Sequence, residues 1–308
     1  MVSSRRVFFA TGAALLGVSL GLAGPWALAD PGTKPTVVAV NYPLFYFAQR
    51  LVASEAHVVL PVPTDRDPAF WRPSIADISA IQRADLIVLN GAGFAQWTQK
   101  ASLPRSRLVD TTRGFADRLI ATETITHSHG DDGEHSHTGT AAFTWLDQAQ
   151  ASRQARAIAE ALKRRRIGTA TAIDARLAAL VQDLDALDQA AKALGDLAQG
   201  RVLIASHPRY QYFARAYGVT IEAVAWDPGE VPSSAQRAEL AALAQRTGAT
   251  LFIWEEAPPA EAIRAVEALG LGSVVVPTLS HGPSQGDYLS VMATAIDGLR
   301  AALSDEGA

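Results

Sequence analysis

The clearest indication of the fold class is Leu86-Ile-Val-Leu89, a short continuous apolar run that leads into Gly91-Ala-Gly93. Such a run is typical of a strand in a parallel sheet, because helices cover both faces of that sheet. The glycines turn the chain just past the strand. The full glycine fingerprint of a nucleotide site is missing, so the turn does not by itself indicate nucleotide binding. The stretch favours an α/β fold with a mostly parallel sheet.

Strand and helix patterns alternate on both sides of this run. A helix is predicted over 44–52, and another begins near Ser74, which can cap it. The further predicted strands are 36–40, 57–60, 202–205, 221–224, 251–254 and 274–276. This rhythm predicts two Rossmann-like lobes, each built on a mostly parallel sheet.

One long helix is predicted between the lobes. Its apolar residues recur at spacings of three and four and form a single stripe. The stripe consists of Ile173, Leu177, Leu180, Val181, Leu184, Leu187 and Leu194. From the first to the last of these the helix would be about 33 Å long, and Gly195 is predicted to end it. We expect a stiff connector over 167–195, between an N-terminal lobe over 30–166 and a C-terminal lobe over 196–308.

The first 29 residues have the pattern of an export signal. Arg5-Arg6 precedes an apolar run over 10–22, and Ala27-Leu-Ala29 offers small residues to a signal peptidase. The paired arginines favour the Tat route, and the run is too short for a membrane span. We expect cleavage near Ala29 and a soluble periplasmic protein.

The amino-acid composition limits which kinds of metal ligand and binding partner the chain can have. The chain has no cysteine, so it has neither disulfides nor thiolate metal ligands. It carries 27 basic and 31 acidic residues, for a net charge of −4. Without a basic excess, nucleic acid is excluded as a partner. We expect a monomer.

A metal-binding character is indicated by residues 127–137, which hold four of the seven histidines: His127, His129, His135 and His137. Neutral imidazoles, together with the carboxylates among them, capture borderline cations such as Zn²⁺. The glycines and polar spacers give the segment no apolar face, so we expect a mobile surface loop. The competing interpretation is a solvated polar loop without metal.

Two more histidines follow predicted strands of the second lobe. His207 stands in Ser206-His207-Pro208, directly after the strand over 202–205, and His281 follows the strand over 274–276. In open α/β sheets, ligands bind beyond the carboxyl ends of the strands. Both are therefore candidate ligand residues. The alternatives are a packing histidine for His207 and a surface turn for His281.

Several blocks along the chain resemble the periplasmic zinc/manganese-binding receptors of metal ABC transporters, of the zinc-uptake type. They are Asp67-Pro68, Arg72-Pro73-Ser74, residues 81–91, Thr144-Trp145-Leu146-Asp147, Ser206-His207-Pro208, residues 212–218 and residues 228–233. The resemblance implies a two-lobed receptor that captures Zn²⁺ and works with a membrane permease and an ATPase. Mn²⁺ or another divalent metal is less favoured, because nitrogen donors predominate among the candidates. A periplasmic metallochaperone is a further candidate partner.

The ligand set departs from the pattern of that family. Where the resemblance implies histidines, this chain has Ala69 and Phe143, and where it implies an aspartate it has Pro277 or Thr278. Only His207 matches a primary ligand. Alanine, phenylalanine and proline have no side-chain donor, so the usual four-ligand cage cannot form.

Two interpretations of the cleft stay open. In the first, a metal site is rebuilt from His207, His281 and one or two histidines of the 127–137 segment. In the second, the cleft takes a non-metal ligand or a metal complex, and the segment serves as a weak zinc buffer or as a donor to another protein. The cleft-lining candidates for that ligand are Tyr42, Phe70, Trp71, Phe143, Trp145 and Tyr210.

An enzyme is disfavoured by the residues themselves. Ser206 and His207 are adjacent on a strand and point to opposite faces, so they do not form a catalytic pair. Glu255-Glu256 resembles a pair of acid/base carboxylates, but it follows a predicted strand and we expect it to be solvated. We predict no catalytic residue.

Overall fold

Two parallel four-stranded sheets form the centres of two lobes in the computed structural model, which describes residues 34–122, 125–128, 134–137, 139–227 and 229–305. The first sheet contains β1 (Thr36–Ala39), β2 (His57–Val59), β3 (Leu86–Leu89) and β4 (Leu108–Asp110), in the order β2-β1-β3-β4. The second contains β7 (Val202–Ala205), β8 (Thr220–Ala223), β9 (Leu251–Trp254) and β10 (Gly272–Val275), in the order β10-β9-β7-β8. Every neighbouring pair is parallel. The predicted α/β class with two parallel-sheet lobes is confirmed.

Helices cover the faces of both sheets. Those of the first lobe are α1 (Tyr42–Val52), α2 (Ile75–Gln82), α3 (Trp97–Lys100) and α4 (Gln148–Arg165); those that follow are α5 (Ala170–Leu197), α6 (Gln211–Tyr217), α7 (Ser234–Thr247), α8 (Ala260–Glu267) and α9 (Tyr288–Asp305). Ser74 caps α2 as predicted: its hydroxyl accepts from the Asp77 N–H, and the Asp77 carboxylate accepts from the Ser74 N–H. This reciprocal pair satisfies backbone donors that the first helical turn leaves open.

The long connector is α5, with 28 residues. Every residue of the predicted stripe is buried. The helix packs against α1 and α4 of the first lobe and against α6 and α9 of the second. One hydrophobic core accordingly continues from Val38 in β1 through Leu180 in α5 to Ile253 in β9. The two lobes are therefore joined by shared packing as well as by the chain.

Gly195 does not end this helix, contrary to the sequence-based expectation, because α5 continues to Leu197. A Cβ atom at Gly195 would lie 2.5 Å from the Tyr217 carbonyl oxygen at the end of α6. Glycine is present here because it allows two helices to approach closely, not because it terminates one.

A pair of glycine-to-alanine variants tests this explanation. Gly195→Ala should lower the free energy of unfolding by about 1–3 kcal/mol, because the new methyl group overlaps backbone that cannot move aside cheaply. Gly298→Ala, in α9, is the matched control, since a Cβ there would meet nothing closer than Val274 Cγ2 at 3.8 Å. It should raise the free energy of unfolding by about 0.5–1 kcal/mol through helix propensity. Urea unfolding measures both, and a stabilising effect of Gly195→Ala would contradict the close approach.

The histidine-rich segment contains paired backbone where the sequence indicated a loop. β5 (Ile125–Ser128) and β6 (Glu134–His137) form a two-stranded antiparallel ladder, with His127 opposite His135 and Ile125 opposite His137. Since alternate positions of a strand share a face, this register puts positions 127, 135 and 137 on one face of the hairpin. His129 lies outside the described residues, as does the predicted signal segment over 1–29.

Within the part of the chain that the structure describes, no helix combines the length and the hydropathy that a membrane crossing requires.

Candidate ligand cleft

A cavity of about 1140 Å³ opens at the carboxyl ends of the strands of both lobes. Asp67 lies in the segment after β2, Arg209 in the segment after β7, Glu255 directly after β9, and His281 in the segment after β10. All four line the cavity. Strand ends gather side chains from distant parts of a sequence at one edge of a sheet, which is why ligand sites of open α/β folds form there.

An ion-pair network crosses from one lobe to the other at this cavity. Arg209 Nη2 lies 2.7 Å from Asp67 Oδ2, and Arg209 Nε lies 3.2 Å from Glu255 Oε2. The Arg209 and Glu255 side chains are only 8% and 5% exposed, and that of Asp67 is 28% exposed. Burial of this kind makes the network electrostatically stronger than a surface pair, and also more costly to disrupt. Arg209 is thus the central charge of the cleft.

His207 lies behind this network and not on the cavity wall. It is buried, and its Nδ1 is 3.3 Å from Glu255 Oε1. The neighbouring Ser206 accepts a hydrogen bond from the Glu255 N–H at 3.3 Å, and the Ser206 N–H donates to the Ile253 carbonyl at 2.8 Å. These bonds fix the end of β7 against the end of β9. His207 therefore reaches the cleft through Glu255, whereas His281 is half-buried on the wall itself.

The network shifts the protonation equilibria of its members. Burial raises the pKa of Glu255 to about 7, although the neighbouring Arg209 guanidinium opposes this. For Asp67, burial alone would raise the pKa, but the charge of Arg209 and the Ala69 N–H hold it below its usual range. Burial lowers the pKa of His281, against the attraction of Asp67. Near neutral pH the Arg209–Asp67 pair is charged and Glu255 is close to its titration midpoint.

The raised pKa of Glu255 predicts a pH-dependent stability. Folding favours the protonated carboxyl, so the native state binds more protons than the unfolded state between about pH 4.5 and about pH 7. The contribution of Glu255 to the free energy of unfolding is fully present below that window. It falls as the pH rises through the window, by up to about 3 kcal/mol.

Glu255→Gln should remove this slope, because glutamine does not titrate. The measurement is urea unfolding of both proteins without metal, at intervals between about pH 5 and about pH 8. The lowered pKa of His281 makes stability rise with pH, below the ordinary histidine pKa. His281 is present in both proteins, so the difference between the two curves isolates the contribution of Glu255. Parallel curves would show that Glu255 is ionised throughout the window.

The aromatic candidates fall into two groups. Phe70 and Trp71 line the cavity. Tyr42, Phe143, Trp145 and Tyr210 are buried and hold the chain around it. Three of them bind the segment after β10: Tyr210 Oη donates to the Val276 carbonyl at 2.7 Å, Trp145 Nε1 to the Thr278 carbonyl at 2.7 Å, and the Tyr42 N–H to the Ser280 carbonyl at 2.9 Å.

The expectation of a solvated Glu255-Glu256 pair is wrong for Glu255. Its neighbour Glu256 is exposed, but Glu255 is buried, because it directly follows the central strand β9 and pairs with Arg209. Sequence reasoning also missed Arg209. One available signal was its position two residues after His207, at the same strand end. Another was Asp67, a carboxylate two residues before Ala69, where the resemblance implies a metal ligand. Such a carboxylate needs a positive partner, and Arg209 is that partner.

No set of three histidine, aspartate or glutamate side chains within the described residues is arranged to hold a metal ion. The cleft supplies candidate donors, but Arg209 stands between two of them, Asp67 and Glu255. The side chains of the β5–β6 hairpin lie outside the description, so a site that includes His127, His135 or His137 remains a prediction.

Comparison with known proteins shows to which protein family the chain belongs. The sequence matches the family described as ZnuA, zinc-uptake complex component A, periplasmic, over residues 37–302. The chain belongs to this family. It is 24% identical over 287 residues to the zinc-binding lipoprotein AdcA of Streptococcus pneumoniae serotype 4, an alignment that covers 89% of this chain and 57% of that protein. It is also 24% identical over 290 residues to the high-affinity zinc uptake system protein ZnuA of Bacillus subtilis, covering 88% of each.

A solved structure shows the same fold. The Zn(II)-bound ZnuA-like domain of Streptococcus pneumoniae AdcA superposes with a TM-score of 0.72 at 20% identity, covering 88% of this chain and 98% of that domain. The chain spans little more than half the length of the full pneumococcal lipoprotein. Family membership and the shared fold thus agree with the two parallel-sheet lobes of this chain.

Proposed function

We propose that this member of the zinc-uptake family is the extracytoplasmic substrate-binding component of an ABC importer and captures Zn²⁺ in the cavity between its lobes. Family membership over nearly all of the chain outside 1–33 supports the class of protein. The observation that carries the ligand assignment is that Asp67, Glu255 and His281 line one cavity from both lobes, although these side chains are not arranged as a metal site in this structure. A permease and an ATPase from other chains would receive the ion, and the protein itself performs no catalysis.

The proposed ligands combine the cleft with the hairpin. Tetrahedral zinc takes three or four nitrogen or oxygen donors at roughly 2.0–2.2 Å. His281 supplies an imidazole on the cavity wall. His207, which lies behind Glu255, would supply a second after turning toward the cavity, and the histidines at 127, 129, 135 and 137 supply others. Nitrogen donors favour Zn²⁺ over Mn²⁺. The shared face of positions 127, 135 and 137 supports delivery of more than one imidazole by the hairpin.

A competitive titration of Zn²⁺ against a chelator of known affinity tests this proposal on residues 30–308. His281→Ala and a hairpin variant with its four histidines changed to asparagine should each weaken one tight site at least tenfold, about 1.4 kcal/mol. His57→Ala is the control, because His57 is an exposed histidine on β2 and does not line the cavity. Several weak sites, lost with the hairpin histidines and indifferent to His281, would place zinc on the hairpin alone.

A second candidate function is favoured by the size of the cavity. Its volume of about 1140 Å³ exceeds what a single ion needs and is comparable with the largest small-molecule sites. With Phe70 and Trp71 on its wall, the cavity has room for an organic ligand or a metal complex. The hairpin would then serve as a weak zinc buffer or would exchange metal with a periplasmic metallochaperone. Quenching of Trp71 fluorescence by such a ligand, absent in Trp71→Phe, distinguishes this case from binding of the bare ion.

We also infer that the protein is exported by the Tat route, is cleaved near Ala29 and works as a monomer. The paired arginines and the apolar run after them support the route. Changing Arg5 and Arg6 to lysine should leave uncleaved precursor in the cytoplasm, as cell fractionation would show. Normal export of that variant would argue for the Sec route.

A further inference from the structure

The centre of the cleft already contains a cation that belongs to the chain. The Arg209 guanidinium is bound by Asp67 at 2.7 Å and by Glu255 at 3.2 Å, and its Cζ lies 5.0 Å from the centre of the Phe143 ring. Two carboxylates and an aromatic face form a complete environment for a buried guanidinium. The side chain is only 8% exposed.

Three of the positions where the family resemblance implies metal ligands contact this guanidinium or the carboxylates that bind it. Phe143 provides the ring beneath it. Ala69 donates its N–H to Asp67 Oδ1 at 2.8 Å, which orients the carboxylate that binds Arg209. His207 Nδ1 lies 3.3 Å from Glu255, the other carboxylate. Arg209 and its two carboxylate partners are thus in contact with Phe143, Ala69 and His207.

The charges in the network favour exchange with a divalent ion. One guanidinium carries a single positive charge between two acidic side chains, whereas a divalent ion could neutralise both carboxylates when both are ionised. Oxygen atoms of carboxylates and the imidazole nitrogen of His281 are suitable zinc donors. Arg209 also lines a cavity of about 1140 Å³, so its long side chain has space to swing aside without unfolding of the lobes.

We propose that Arg209 is a tethered competitor of the captured ion: it occupies Asp67 and Glu255 in the metal-free cleft and moves into the cavity when a divalent cation binds them. This inference rests on the proposed function and concerns how the same site is regulated. The bridge keeps the buried carboxylates compensated while the cleft is free of metal. It also lowers the apparent affinity of the cleft, which equals the intrinsic affinity multiplied by the fraction of molecules in which the bridge is open.

Removal of the competing charge should strengthen metal binding. Arg209→Met keeps an unbranched apolar side chain and removes the guanidinium, so its cleft affinity for Zn²⁺ should be at least tenfold higher than that of the unaltered protein in chelator competition. Arg50→Met is the matched control, because Arg50 pairs with Asp183 at 2.7 Å away from the cavity; its zinc affinity should be unchanged. Equal or weaker binding by Arg209→Met would overturn the proposal.

A second measurement uses the unaltered protein and does not depend on the folding of that variant. The side-chain Nε–H signal of Arg209 in ¹H–¹⁵N NMR, assigned by its loss in Arg209→Lys, should shift and exchange faster with solvent as Zn²⁺ is added. A signal unaffected at zinc saturation would also overturn the proposal. If neither the unaltered protein nor Arg209→Met binds zinc, the proposed function is wrong. If both bind zinc equally, the proposed function stands and only the proposed role of Arg209 is wrong.

Discussion

Trp145→Ala should lower the free energy of unfolding by about 3–5 kcal/mol. Trp145 is fully buried, with its ring 5.0 Å from that of Phe143 and 5.4 Å from that of Phe94. Its indole N–H also donates to the Thr278 carbonyl at 2.7 Å, and so connects the first lobe to the segment after β10. Truncation would leave a large cavity and remove the partner of a buried carbonyl. Urea unfolding measures the loss.

Trp145→Phe separates the two contributions. Phenylalanine keeps much of the ring packing but has no N–H, so the Thr278 carbonyl would lose its donor at a cost of about 1–3 kcal/mol. We expect this variant to fall between the unaltered protein and Trp145→Ala. If Trp145→Ala differed from the unaltered protein by less than about 1 kcal/mol, the contact between the first lobe and the segment after β10 would be unimportant for stability.

Arg209→Met should lower the free energy of unfolding without metal by a similar amount, about 3–5 kcal/mol. The variant leaves Asp67 and Glu255 in the cleft without their counter-charge, and Glu255 is nearly inaccessible to water. Domains of this kind are typically stable by about 5–15 kcal/mol, so the variant should still fold. Thermal and urea unfolding in the presence of a chelator provide the measurement.

Two comparisons show whether burial is the cause. Arg50→Met removes a pair whose side chains are 34% and 43% exposed, so it should cost at most about 1 kcal/mol. Adding Asp67→Asn to Arg209→Met should recover part of the loss, because one of the uncompensated carboxylates is gone. Equal effects of the arginine variants at positions 50 and 209 would indicate that the cleft network is as well solvated as a surface pair.

Local patterns were sufficient to predict most of the regular structure. The continuous apolar run of β3 and the apolar stripe of α5 each show, within a short stretch of sequence, which residues will be buried. The Ser74 cap is likewise evident from a few neighbouring residues. Helix α4 was not predicted, because its buried face consists largely of alanine and glutamine, such as Ala151, Gln154 and Ala155. Strand β4 was not predicted either, because it has only three residues and only one buried side chain, Val109.

The cleft was predictable in position but not in chemistry. The rule that ligands bind at the carboxyl ends of strands directs attention to the segments with His207 and His281, and of these two residues His281 lines the cavity. Arg209 and Asp67 are 142 residues apart in the chain, and nothing in the local pattern of either indicates the other. Their pairing, and the burial of Glu255 beside them, result from the apposition of the two lobes.

The most direct test of zinc capture in the cavity is anomalous scattering at the zinc absorption edge, from crystals of residues 30–308 grown with Zn²⁺. We expect a strong peak in the cavity, within coordination distance of His281 and of Asp67 or Glu255, with the Arg209 side chain turned away from both carboxylates. A peak confined to the β5–β6 hairpin, with the Asp67–Arg209–Glu255 network intact, would contradict capture in the cleft.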